Sequence, residues 1–172
     1  MPTHSSDDTP RVFVDASTLI NFLRIKRLDL LAGVWTVTHI VEDVRAEILD
    51  ANQVSVLEEA LLVENIRIYQ VTHLEDIQLA MKLRDDLGIG SGEAFSFLAA
   101  KRENAVLAID DERAVKRAKR FVTGVEIVTT PEIIIQSIRK GIITIVEADV
   151  IKNEWATQHR FLLPFNSFSD IV

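Results

Sequence analysis

The chain predicts an α/β fold with a central parallel sheet, and three observations predict it. Short, continuous, β-branched runs recur along the sequence, helical patterns separate them, and acidic residues stand where the runs end. Continuous apolar runs mark strands covered on both faces, and strand–helix alternation implies parallel strands joined by right-handed crossovers. The first strand is RVFVD (11–15), followed by a helical pattern over 17–31. VWTVT (34–38) reads as the second strand, and the long pattern over 40–64, interrupted near Asn52, as helix. RIYQV (67–71) is the third strand and 74–87 the next helix. Gly88, Gly90, Ser91 and Gly92 then announce a helix over 92–103, AVLAI (105–109) supplies the fourth strand, and 112–120 is helical. VEIVT (125–129) is the fifth strand, with helices expected over 131–140 and 147–157.

Its 172 residues suit one domain with a sizeable core. We read residues 1–10 as a short disordered lead and 11–140 as the α/β domain. Residues 141–172 read as a C-terminal helix and aromatic tail packed on that domain, with Trp155, Phe161, Phe165 and Phe168 as core or interface residues. The start MPTHSSDDTP has neither the basic residues nor the apolar stretch of a signal peptide. Apolar runs such as EIIIQSI and GIITIV fall far short of the roughly 20 residues that span a bilayer. No membrane association is therefore expected, and the cytoplasm is the default location. With no cysteine, disulfides, thiolate metal sites and cysteine nucleophiles are excluded. The net charge of -7 argues against broad attraction to nucleic acid, but the segment 101–120 carries seven Lys or Arg against four acids. Its helix RAVKRAKR offers Arg113, Lys116 and Arg117 to phosphates, or is simply a solvated face. The four histidines have no metal-ligand spacing.

The chemistry resides in the acids. Asp15 ends the first strand, Glu93 lies in the first turn of its helix, Asp110 and Asp111 follow the fourth strand, and Glu47 borders the apolar stripe Ile40, Val44, Ile48. An unpaired carboxylate beside buried strands is costly, so these groups either have private partners or converge on a shared one. The usual shared partner of clustered carboxylates is a hard divalent cation, Mg²⁺ or Mn²⁺. In open parallel sheets the carboxyl ends of the strands form the binding edge, and Asp15 and the Asp110–Asp111 pair both sit there. Ser17 or Thr18 is available to cap the first helix, which would release Asp15 for other work. Either hydroxyl is also placed to hold a site carboxylate.

Taken in order, VDASTLINFLRIKRLDLL, VRAEI, LGIGSGEA and AIDDERAVKRA followed by GVEIV resemble the PIN-domain ribonucleases, the superfamily that includes the VapC-type toxins. The likeness covers about residues 11 to 140 and is nearest a branch with a GEAEA-like motif and a double Asp. It implies a PIN-like three-layer fold with strand order 3-2-1-4-5 and helices on both sides. By position it implies an acidic pocket of Asp15, Glu47, Glu93 and Asp111, with Asp110 as a fifth member or alternative fourth and Ser17 as supporting hydroxyl. Asp15, Glu93, Asp110 and Asp111 would hold metal. The implied activity is Mg²⁺- or Mn²⁺-dependent endonucleolytic cleavage of RNA, often by a homodimer silenced by an antitoxin protein. Two departures stand out: the motif reads GEAFS, with Phe95 in place of the second acid, and the basic residue after the double Asp is displaced to Lys116. The alternative is a non-catalytic PIN-like metal-binding and interaction module. A phosphotransfer receiver is disfavoured, because no phospho-accepting Asp follows the third strand and no Lys the fifth.

Overall fold

Why the first strand anchors the molecule is visible in its burial. In the computed structural model, which describes residues 11–172, β1 (Arg11–Val14) carries Val12, Phe13 and Val14 without solvent exposure. Burying each such side chain contributes about 1.5–3 kcal/mol before the cost of ordering the chain. β2 (Val37–Val41) and β4 (Val106–Ala108) flank β1, β3 (Arg67–Tyr69) lies outside β2, and β5 (Ile127–Val128) outside β4. All pairings are parallel, so the sheet has the order 3-2-1-4-5 expected from the resemblance. The expected lead over residues 1–10 lies outside the described residues.

The helices flank this sheet. They are α1 (Ala16–Arg24), α2 (Asp29–Val34), α3 (Glu42–Glu47), α4 (Ala51–Leu62), α5 (Leu74–Leu87), α6 (Ser91–Arg102), α7 (Glu112–Ala118), α8 (Thr130–Arg139) and α9 (Ile145–His159). α6 is the central one: Gly92, Ala94, Ser96, Phe97, Leu98, Ala99 and Ala100 are all buried, and it packs on β1, β2 and β4. Its run of small residues allows that close approach. α5 ends at Gly88 in the left-handed conformation (φ 60°), which turns the chain sharply into α6.

Three elements depart from the periodicity. The predicted helix over 17–31 is two helices, broken where Lys26 takes a positive φ of 54°. The second strand is VTHIV, three residues later than VWTVT, because Phe13 pairs in register with His39 and stacks on its ring at 5.2 Å. Ile40 accordingly lies in a strand, and the Ile40–Val44–Ile48 stripe runs across a strand–helix junction rather than along one helix. The 40–64 pattern likewise divides into α3 and α4, with Asp50 capping the latter through Asn52 N and Gln53 N.

At the C-terminus, α9 begins with a Thr144–Glu147 capping box. Its Trp155 is wholly buried, meets Phe22 edge-on at 5.9 Å and donates its indole N–H to Asn21 O at 2.8 Å. The tail folds back on α9, with Ser167 Oγ and Phe168 N donating to Asp149 at 2.7 and 2.8 Å. Among the described residues, no helix is long and apolar enough to cross a membrane.

Candidate metal and nucleic-acid site

The pairing of β1 with β4 places Asp15 and the Asp110–Asp111 pair side by side, and Asp15 N donates to Ala108 O at 2.9 Å. Asp15 is only 2% exposed. Contrary to the expectation that Ser17 or Thr18 would cap α1, Asp15 is itself the N-cap: its Oδ2 accepts from Ser17 N at 3.1 Å and Ser17 Oγ at 2.7 Å. The other oxygen, Oδ1, is buried with no hydrogen-bond partner. Burial raises the Asp15 pKa above the ordinary carboxylate range. The Ser17 bonds and the Ala16 amide oppose that rise, and the Asp110 charge adds to it.

Glu47 is the last residue of α3, aimed by buried Val44 one turn before it and buried Ile48 after it. Its Oε1 accepts from Gly92 N at 3.2 Å, which ties α3 to the start of α6. A Cβ at Gly92 would collide with that carboxylate and lie 3.1 Å from Val44 Cγ2, so the glycine is what lets Glu47 sit against the α6 terminus. Glu93 occupies the third position of α6, where its Oε2 accepts from Gly90 N at 2.9 Å. Partial loss of water raises the pKa of both glutamates. Asp15 adds to the rise at Glu47, and Asp15, Asp111 and Glu47 add to it at Glu93. Glu93 thus feels the charge of the three other acids of the predicted pocket.

Asp111 caps α7, its Oδ1 accepting from Arg113 N at 2.8 Å and Ala114 N at 2.9 Å. Asp110, predicted as a metal ligand, is committed differently. Its Oδ1 accepts from Thr130 N at 2.8 Å, and its Oδ2 from Thr130 Oγ1 at 2.5 Å, Thr18 Oγ1 at 3.2 Å and Asn21 Nδ2 at 3.2 Å. Four protein donors hold it, three of them on Oδ2, and it ties the end of β4 to α1 and α8. The sequence reading missed Asn21 and Thr130 in this knot. The available signal was a polar side chain, Asn21, one turn after Thr18 on an otherwise apolar helix face. It also missed the bond from Ser91 Oγ to Asp43 Oδ1 at 2.5 Å, beside Glu47.

The predicted phosphate-gripping cations are distributed unequally. Arg117 Nη1 donates to Leu87 O at 3.0 Å and Gly88 O at 3.3 Å, satisfying carbonyls at the end of α5. Lys116 forms an exposed 3.5 Å pair with Glu112, and Arg113 is exposed at the start of α7.

The donor set suits a hard divalent cation: carboxylate oxygens alone, mutually repelling, one of them buried and without a proton donor. Among the described residues, no three such groups are already gathered closely enough to hold an ion. Filling the site therefore calls for water in the coordination shell or rotation of the glutamates, and Mg²⁺ ordinarily keeps several waters. Compared with protein families, residues 11–157 match the model of the PIN domain. No curated protein matches the chain.

Proposed function

The chain belongs to the PIN-domain family, whose members are generally nucleases, and from that premise we propose that it is a metal-dependent endoribonuclease hydrolysing RNA phosphodiester bonds. The observation that carries this reading is the buried, unpartnered Asp15 Oδ1 amid Glu47, Glu93 and Asp111. Asp15 and Asp111 would hold the cation, Asp15 through Oδ1 and Asp111 through the oxygen not used in capping α7. Ser17 fixes the Asp15 carboxylate so that Oδ1 keeps one direction. Burial and the neighbouring acids hold the pKa values of Glu47 and Glu93 above their ordinary value, the direction that makes a carboxylate a better acceptor of a proton from attacking water. They act either in that role or as further ligands. A bound Mg²⁺ or Mn²⁺ supplies a water nucleophile usable at neutral pH and neutralises charge in the transition state. Gly92 keeps the Glu47 carboxylate against the α6 terminus. Arg113 and Lys116 would meet the RNA backbone, while Arg117 is already engaged with α5.

The biological setting proposed with this chemistry is a VapC-like toxin acting in the cytoplasm as a homodimer and restrained by an antitoxin protein. Supporting a protein partner are apolar side chains left in water on and beside α4: Leu49 at 85% exposure, Leu62 at 84% and Val63 at 60%. The second reading, a metal-binding interaction module without catalysis, draws support from the same exposed apolar side chains at Leu49, Leu62 and Val63. Incubating purified protein with a mixed RNA pool in Mn²⁺, Mg²⁺ or EDTA, beside Asp15→Asn, separates the two. Metal-dependent cutting lost in the variant is the expected result. A folded, partner-free protein that cuts nothing under either metal would leave the interaction module.

A further inference from the structure

Phe95, the residue that departs from the acidic motif, is half-buried and lines a cavity of about 190 Å³ at the carboxyl ends of β2 and β3. Val41, Val71 and Ile77 form its apolar wall, and Glu42 and Gln70 stand in its lining, joined by a 3.4 Å hydrogen bond from Gln70 Nε2 to Glu42 Oε1. The cavity adjoins the acidic site. Asp43, also in its lining, accepts from Ser91 at the start of α6 and is among the charges acting on Glu47. Ser91 and Phe95 lie one turn apart on the same face of α6 and Glu93 on another, so the helix that presents Glu93 to the acids presents an aromatic ring to this cavity from a neighbouring face.

We propose that this cavity is a nucleobase subsite, stacking one unpaired base against Phe95 and reading its edge with Glu42 and Gln70. Single-stranded RNA is recognised in this way, by splayed bases stacked on aromatic rings and hydrogen-bonded along their edges. The lining selects among bases. A carboxylate only accepts hydrogen bonds, so Glu42 favours bases with an exocyclic amino group (adenine, cytosine, guanine) over uracil, whose one edge donor, the ring N3–H, is flanked by two carbonyl oxygens that repel a carboxylate. The acids also make the cavity unsuitable for phosphate, which places the neutral base here and leaves the backbone to the cation site. As a specificity element the subsite rests on the nuclease reading, but base binding itself does not.

The test is an NMR titration of the metal-free full chain with adenosine, cytidine, guanosine and uridine, which carry no phosphate. Resonances of Phe95, Val71 and Ile77 are expected to shift with the three amino-bearing nucleosides and at roughly tenfold higher concentration with uridine. Phe95→Leu keeps an apolar side chain but removes the ring, and is expected to weaken binding about tenfold. Glu42→Gln adds a donor and is expected to erase the discrimination against uridine. No shifts at this cavity, equal shifts for all four nucleosides, or binding unchanged in a folded Phe95→Leu protein would overturn the proposal. Nucleoside binding as described, with RNA left intact in Mn²⁺, would sink the nuclease reading and leave this subsite standing. RNA cleavage without nucleoside binding would remove the subsite alone.

Discussion

Asp110 and Asp15 follow neighbouring parallel strands at the same edge of the sheet, yet the protein treats them in opposite ways. Asp110 receives four hydrogen bonds, from Thr18, Asn21 and both the amide and hydroxyl of Thr130. Asp15 is buried with one oxygen held by Ser17 and the other without a hydrogen-bond partner, and its ionised form is further opposed by Asp110. A half-buried carboxylate surrounded by donors is a joint in the fold; a buried one left half-satisfied among other acids holds unfavourable energy that a cation can relieve. The same residue type is thus fully engaged at one strand end and left half-satisfied at the next, which is why the proposed chemistry is assigned to Asp15.

The largest expected effect lies on the Asp15 side of this contrast. Asp15→Asn keeps an oxygen for Ser17 but removes the charge, and we expect RNA cleavage to fall by about 10³-fold or more, in line with losing several kcal/mol of transition-state stabilisation. Its melting temperature in EDTA should rise, since a disfavoured buried charge has gone. An unchanged cleavage rate would remove Asp15 from the chemistry. On the other side, Asp110→Ala strands buried donors of α1 and α8 and should cost about 3 kcal/mol in urea unfolding. A loss below 1 kcal/mol would mean that the four bonds do little for the fold.

Smaller effects sharpen the boundary between the two regions. Gly92→Ala pushes the Glu47 carboxylate away from the α6 terminus and should lower cleavage roughly tenfold, with a far-ultraviolet spectrum like that of the parent. Parent-like activity would place Glu47 outside the working set. The pH dependence follows from Asp15, Glu47 and Glu93 all lying above their ordinary range. The folded protein then holds protons that the unfolded chain has released, so stability in EDTA should decline as pH rises from about 4 through the raised values. In Asp15→Asn the decline should be shallower; an equal slope would mean that Asp15 is not a principal source. Smallest of all, Arg117→Ala frees two carbonyls of α5 and should cost about 1 kcal/mol or less, with little change in RNA affinity. A pronounced loss of RNA affinity would return Arg117 to the phosphate-binding set.

The sheet was legible because its strands are continuous apolar runs, which periodicity reads well, and the order 3-2-1-4-5 came from the resemblance. Helix breaks were less legible. The split between α1 and α2 rests on Lys26 at positive φ, a conformation no residue type there announces. The start of β2 was misplaced because VWTVTHIV is apolar and β-branched enough for either window, and only pairing of His39 with Phe13 decides between them. At the acidic edge, sequence reasoning drew attention to Asp15, Glu47, Glu93 and the Asp110–Asp111 pair but could not tell how differently the fold holds Asp110. Adjacent aspartates look alike until the donors around each are known, and Asn21 and Thr130 lie 89 and 20 residues away along the chain.

The most direct measurement is the thermal unfolding of the parent and Asp15→Asn, each in Mn²⁺ and in EDTA. A cation that binds the folded state alone stabilises it in proportion to its occupancy. The contrast between the two aspartates predicts that Mn²⁺ raises the parent's melting temperature by several degrees and leaves Asp15→Asn nearly unmoved. Equal shifts in both proteins, or none in the parent, would contradict the assignment of the Asp15 cluster as a cation site.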